Sequence, residues 1–199
     1  MRIALLISGY LRGFKENVDS IKQNIIQFHD CDIYIHITDS DSDKYLNEKI
    51  SISYIKDALN PTVLIFSKNM KFTENERVNN TLNQNYKYYL LNQERNKKCL
   101  IEKIKYDVVV KLRPDTWING AIDFSNVKSL YIPSDSKIDI SKLQSPNDKY
   151  ICDIFAYGTS DKMDDYFNYY ECLNKLIEKY DTCVNETLLL YYLQDCRII

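Results

Sequence analysis

Apolar residues in the first half of the chain fall in short unbroken runs, separated by stretches whose apolar positions recur at helical spacing. The runs "RIALLIS" (2–8), "CDIYIHIT" (31–38), "TVLIFS" (62–67) and "DVVVKL" (107–112) predict four strands. Continuous rather than alternating apolar character marks strands covered on both faces, as in a parallel sheet. Between the first two, Phe14, Val18, Ile21, Ile25 and Phe28 alternate spacings of four and three, which predicts one face of an amphipathic helix. A longer helix is predicted from about Val78 to Ile104, with Leu82, Tyr86, Leu90, Leu100 and Ile104 on its period.

The second half is less regular. "SLYIPS" (129–134) and "YICDIFAYG" (150–158) predict two further strands, and the polar piece "DSKIDISKLQSPND" between them predicts a surface loop. Ser160 is placed to cap a helix whose inward face is Met163, Phe167, Tyr170, Leu173, Ile177 and Tyr180, and Asn185 to cap a last helix, "ETLLLYYLQD". No internal repeat is visible. Strand–helix alternation followed by a mixed portion predicts an α/β chain of Rossmann-like type, with a mostly parallel central sheet flanked by helices. The 199 residues fit a single domain.

Composition narrows the function classes. A net charge of −2 gives no global attraction to nucleic acid or an anionic membrane, so any anion site must be local. Six cysteines occur without a C-x-x-C spacing, which points to reduced thiols rather than a zinc site or disulfide scaffold. The N-terminal apolar run is too short for a signal peptide and no segment approaches a membrane span, so a cytoplasmic location is expected.

Ligands in open α/β sheets bind beyond the carboxyl ends of the strands, so the strand ends carry the chemistry. Strand one ends in "SGYLRG", where Gly9 and Gly13, two of only four glycines, flank Arg12 just before a helix. Ser8, Gly9 and Arg12 suit phosphate binding, through close backbone approach, helix N–H groups and a bidentate guanidinium. An ordinary strand–turn–helix joint with a surface arginine is the alternative. Neither G-x-G-x-x-G nor a P-loop is present. Strand two ends in "TDSDSD", with Asp39, Asp41 and Asp43; Lys44 and Ile50 stand where a calcium loop needs glycine and glutamate, which excludes an EF-hand. The stretch reads as a solvated acidic loop, with Asp39 near enough to reach a ligand and Asp39-Ser40-Asp41 a competing acidic element on a different strand. His36, inside that strand, reads as a core histidine. Strand four ends in Arg113-Pro114-Asp115. Pro114 fixes the turn, so Asp115 is held as a candidate ligand for a hard divalent cation and Arg113 as a phosphate partner. Alternatively the two charges merely close the turn.

Taken in order, "ISGYLRG", "DIYIHITD", "YDVVVKLRPD", "DIFAYGTSDKMDDYF" and "NETLLLYYL" resemble a GT-A-type glycosyltransferase, similar to the small WavE-like and large-virus enzymes that use nucleotide sugars. The resemblance implies a nucleotide-binding half (1–115) and an acceptor-side half (116–199). It implies transfer from a UDP-, GDP- or dTDP-sugar to a hydroxyl of a glycan or other acceptor. Ser8, Gly9, Arg12, Asp39 and Arg113 would contact the donor, and Asp115 would hold Mn²⁺ or Mg²⁺. Asp153 and Glu186 would be the catalytic carboxylates. The family's D-x-D element falls on Arg113-Pro114-Asp115 and departs from pattern, its first aspartate being an arginine. A non-catalytic module that keeps the fold and binds a nucleotide or a partner is the alternative.

Overall fold

The computed structural model describes residues 1–38, 50–133 and 151–196. The polar loop expected at 135–148, and Asp39, Asp41 and Asp43, lie outside the described residues. The elements are β1 (Arg2–Gly9), α1 (Phe14–Asn24), β2 (Asp30–Thr38), α2 (Ile52–Leu59), β3 (Val63–Ser67), α3 (Glu76–Glu102), β4 (Val108–Leu112), β5 (Leu130–Tyr131), β6 (Phe155–Gly158), α4 (Ser160–Phe167), α5 (Tyr169–Tyr180) and α6 (Asn185–Asp195). Together they form an α/β structure with one six-stranded sheet in the order β3-β2-β1-β4-β6-β5. No helix among the described residues is long and apolar enough to cross a membrane.

The sheet is mixed rather than mostly parallel. β3, β2, β1 and β4 run parallel, whereas β6 is antiparallel to both β4 and β5. A parallel neighbour for β4 would need a crossover helix. The described residues between β4 and β6 contain none, and the chain returns antiparallel. β6 also explains its terminal glycine: a Cβ on Gly158 would stand 2.8 Å from the Ser129 carbonyl oxygen and 3.2 Å from Leu130 Cα, so a side chain would push β5 away.

Alternation along each strand splits the interior into two unlike layers. Ile3, Leu5 and Ile7 of β1, with Val108, Val110 and Leu112 of β4, pack against Phe14, Val18 and Ile21 of α1 and Ile55 and Leu59 of α2 in an apolar layer. Ala4, Leu6 and Val109 face the other way, onto α3, α4, α5 and α6. On that second face the sheet also buries Ser8, His36, Thr38 and Lys111. α3 meets them with Asn83, Asn85, Lys87, Asn92 and Arg95, all nine-tenths or more buried.

Several expected helical details change for that reason. Leu100, predicted inward on α3, is 81 % exposed, whereas Asn83, Asn85, Lys87, Asn92 and Arg95 of the same helix are buried. Arg95, 1 % exposed, is satisfied by Asp164 Oδ1 at 2.6 Å and by Ser160 Oγ at 2.8 Å. Ser160 is therefore bonded to Arg95 rather than capping, and Thr159 precedes α4. The predicted helix from residue 160 breaks at Asn168 into α4 and α5. Phe28 lies beyond α1 in a short 3₁₀ turn and is exposed. None of the six cysteines is in a disulfide.

Candidate functional site

β1 sits between β2 and β4, so the chain leaves β1 toward β2 and β3 and later crosses back to place β4 on β1's other side. A crevice opens at such a switch point, beyond the carboxyl ends of the strands, and ligands of open α/β sheets bind there. Here it is a cleft of about 170 Å³. β1 and its following turn supply Ser8, Gly9, Tyr10 and Arg12. Thr38 ends β2, Asn69 follows β3, and Arg113 and Asp115 follow β4. The wall is α3, through Asn80, Asn83, Gln84 and Lys87.

The Arg113-Pro114-Asp115 turn is held tightly. Thr116 N–H donates to the Arg113 carbonyl at 3.1 Å, closing a β-turn with Pro114 at its second position, and Arg113 N–H donates to the Ile154 carbonyl at 3.1 Å. Pro114 packs on Gly9. A Cβ there would lie 3.2 Å from Pro114 Cδ, and Gly9 has φ of +140°, so both space and backbone conformation call for glycine. From α3, the Tyr88 hydroxyl lies 2.8 Å from the carbonyl oxygens of both Ser8 and Leu112 and shares its single proton between them. It thereby ties the ends of β1 and β4 under the cleft.

Charge in the cleft is concentrated on one salt-bridge cluster. Asp115 Oδ2 accepts from Arg12 Nε at 2.8 Å and from Arg113 Nη2 at 2.7 Å, while Oδ1 accepts from Arg113 Nε at 3.0 Å. Burial pushes the Asp115 carboxyl up, but hydrogen bonds and charge from Arg113 and Arg12 outweigh it and hold the group below the usual carboxylate range. Burial would likewise lower Arg113, yet Asp115 and Asp153 keep its guanidinium charged. The Lys87 ammonium, on a residue 3 % exposed, donates to Thr38 Oγ1 and to Asn69 Oδ1. Ser8 Oγ is buried in the lining with no hydrogen-bond partner among the described residues, a group positioned to meet a ligand atom.

Asp153 lies behind this wall, 4 % exposed, and does not line the cleft. Its Oδ2 accepts from Gln84 Nε2 and from Asn185 Nδ2, both at 2.7 Å, and Oδ1 stands 3.7 Å from Arg113 Nη1. Lys111, 1 % exposed, donates to the Asp153 backbone carbonyl and stacks its ammonium over the Tyr88 and Tyr166 rings. Burial pushes Asp153 up, but Lys111, the two amides and Arg113 hold it low; burial brings Lys111 down to about 8 against the pull of Asp153. Glu186, half-buried at the start of α6, behaves oppositely: burial and the neighbouring Asp153 charge raise its carboxyl.

Of the residues proposed from sequence, Ser8, Gly9, Arg12, Arg113 and Asp115 meet in the cleft; Asp153 supports it from behind, and Glu186 is not in its lining. Asn185, expected as a helix cap, instead bridges Asp153 and Asn85. His36 is a buried histidine whose Nε2 lies 2.8 Å from Ser67 Oγ. Sequence reasoning missed Lys87 and the amides of α3. Their signal was a polar stripe at 80, 83, 84 and 87, which is helical spacing.

The described residues do not fit a divalent cation at Asp115. Two guanidinium groups within 3.0 Å already occupy both of its oxygens and would repel a second cation. No group of three or more His, Cys, Asp or Glu side chains among the described residues could hold a metal ion. Comparison with models of known protein families yields no match for the chain, and a search of curated proteins yields none.

Proposed function

We propose that this protein is a glycosyltransferase that moves a sugar from a nucleoside diphosphate sugar to a hydroxyl of a glycan or other acceptor, in the cytoplasm. The observation that carries the reading is the convergence of Arg12, Lys87 and Arg113 with Ser8 and Gly9 at the switch-point cleft of the sheet. Every stretch on which the GT-A resemblance rests contributes to this cleft or to the network behind it, and a mixed sheet flanked by helices is compatible with that class.

In the reaction, the bond from the anomeric carbon to the donor phosphate oxygen breaks and its electron pair stays on the departing diphosphate. The acceptor oxygen bonds to the anomeric carbon and gives up its proton. Arg12, Arg113 and Lys87 stabilise the charge that develops on the diphosphate. The side-chain amides of Asn80, Asn83 and Gln84 offer hydrogen bonds to sugar or ribose hydroxyls. Of the two carboxylates, Glu186 takes the proton-transfer role, its carboxyl raised by burial and the Asp153 charge, whereas Asp153 is held low and supports Gln84 and Arg113. Beyond Asp115 lies a groove of about 560 Å³ whose lining includes Trp117, Phe155 and Tyr157, aromatic faces on which an acceptor sugar can stack.

Incubation of the purified protein with UDP-, GDP- and dTDP-sugars tests the reading through release of nucleoside diphosphate. Release from one donor class, accelerated by a hydroxyl acceptor, is expected; folded protein that binds and cleaves none of them refutes it. A non-catalytic nucleotide-binding module is the second reading. It is favoured by the fact that Asp115, the one carboxylate among the described lining residues, is tied between two arginines. Donor binding without cleavage under all acceptors would select it.

A further inference from the structure

A diphosphate in this cleft needs cations beside it, and the question is who supplies them. Among the described lining residues stand three basic side chains, Arg12, Lys87 and Arg113, and one carboxylate, Asp115. Asp115 is held between the two guanidinium groups, with contacts of 2.7, 2.8 and 3.0 Å, so it fixes their relative position and orientation. The arrangement is reinforced from behind, where Asp153 stands 3.7 Å from Arg113 Nη1, and from below, where Pro114 sits on Gly9. Of the five N–H groups of a guanidinium, Arg113 gives two to Asp115. A planar fork held in this way matches a phosphate pair of oxygens, and it costs little ordering when the ligand arrives.

We infer that the cleft holds the donor diphosphate with protein cations in place of a divalent metal. Arg12 and Arg113 grip the phosphates, Lys87 adds its charge from α3, and Asp115 is a positioning residue for the two arginines rather than a metal ligand. The inference rests on reading the cleft as a nucleotide-sugar site. It assigns to Arg113, which stands where a D-x-D pattern has its first aspartate, the role of replacing the cation that such an aspartate would bind.

The two roles for Asp115 predict opposite signs. As a metal ligand, its loss removes binding. As a spacer, its negative charge opposes the phosphates, while asparagine keeps an oxygen acceptor that still positions a guanidinium, so neutralisation leaves binding intact or tightens it. The experiment is calorimetric titration of the full chain with UDP, GDP, dTDP and inorganic pyrophosphate, in EDTA and again in Mn²⁺, on the wild type, Asp115→Asn, Arg113→Met and Lys87→Met. The expected result is a nucleoside diphosphate Kd that changes by less than about threefold between EDTA and Mn²⁺. Asp115→Asn should bind equally or more tightly, and Arg113→Met and Lys87→Met should weaken binding roughly tenfold to a hundredfold, the range for a charge-assisted hydrogen bond.

The EDTA and Mn²⁺ comparison on the wild type stands even where a variant fails to fold. Binding that appears only with Mn²⁺ and vanishes in Asp115→Asn overturns the inference and leaves the donor-site reading in place. Binding of nucleoside diphosphates in EDTA without cleavage of any nucleotide sugar upholds the inference and overturns the transferase reading. No binding in either buffer overturns both.

Discussion

Replacing Asp153 by asparagine keeps the side chain's size and removes its charge, which separates two roles that the sequence alone left together. The carboxylate accepts two hydrogen bonds at 2.7 Å, from Gln84 and Asn185, and stands 3.7 Å from Arg113 Nη1. Its charge is also the chief influence holding the buried Lys111 ammonium in its charged form. Converting two bonds to an ionised acceptor into neutral ones loses about 1 to 1.5 kcal/mol each. Leaving Lys111 and Arg113 without that counter-charge adds to it, and removing one partner of a buried pair costs about 3 to 5 kcal/mol in all. In urea, where the slope is about 1–3 kcal/mol per molar, the midpoint of Asp153→Asn should fall by about 1 M or more. The pH dependence carries the signature. The folded-state carboxyl is depressed, so its stabilisation is present above the ordinary carboxyl range and is lost as pH falls through the folded value. Wild type and variant should therefore converge below about pH 4. A variant within about 1 kcal/mol of wild type at pH 7 would refute the support role. If sugar transfer were nonetheless abolished, direct participation of Asp153 in the chemistry would be the better account.

Two further expectations follow from the same face of the sheet. Burial, reinforced by the Lys87 charge, pushes His36 down to about 4, so the unfolded chain binds the extra proton as pH falls from 6.5 toward 4, and stability should drop by about 3 kcal/mol across that window. Chemical denaturation of wild type and His36→Gln at several pH values checks this; a variant with the same slope would sink it. Tyr88→Phe removes the hydroxyl shared by the Ser8 and Leu112 carbonyls and should cost about 1–3 kcal/mol, lowering Tm by several degrees and weakening nucleotide binding. Unchanged melting and affinity would show that the ends of β1 and β4 are positioned without it.

Where apolar residues decide an element, the sequence is easy to read. The valines of β4 and the run of β1 are buried on both faces, and Pro114 closes its turn. The edge built from β5 and β6 is harder to read because strand direction is not encoded in a short apolar run; β6 runs antiparallel to both neighbours. α3 was the least legible. Its period rests on Leu82, Tyr86, Leu90, Leu100 and Ile104, of which Leu82 is buried and Leu100 exposed, while Asn83, Asn85, Lys87, Asn92 and Arg95 between them are buried. Polar side chains count as outward in any pattern reading. They are buried here because the fold brings each a partner distant in sequence: Thr38 and Asn69 for Lys87, the Met70 backbone for Asn83, Asn185 for Asn85, and Asp164 for Asn92 and Arg95. The same limit applies to the site. Glycines and the Arg-Pro-Asp turn announce themselves, whereas Lys87 and Gln84 depend on where a helix 27 residues long is laid.

The division between the two faces of the sheet also bears on what the acids in this protein do. The face toward α1 and α2 buries an apolar layer, whereas the opposite face buries Lys87, Arg95 and Lys111, with Arg113 at its rim. Buried cations are tolerated only when hydrogen-bonded and charge-compensated. Asp164 serves Arg95, Asp153 serves Lys111 and Arg113, and Asp115 serves Arg113 and Arg12. Each of these aspartates is thus engaged in holding a cation in place. Glu186 differs, since burial and the Asp153 charge raise its carboxyl instead of an ion pair holding it low. An acidic residue recruited to fix a cation is a poor base and a poor metal ligand at once. Asp115 and Asp153 thus hold the arginines of the cleft and Lys111 behind it, while Asp164 holds Arg95 outside the cleft lining.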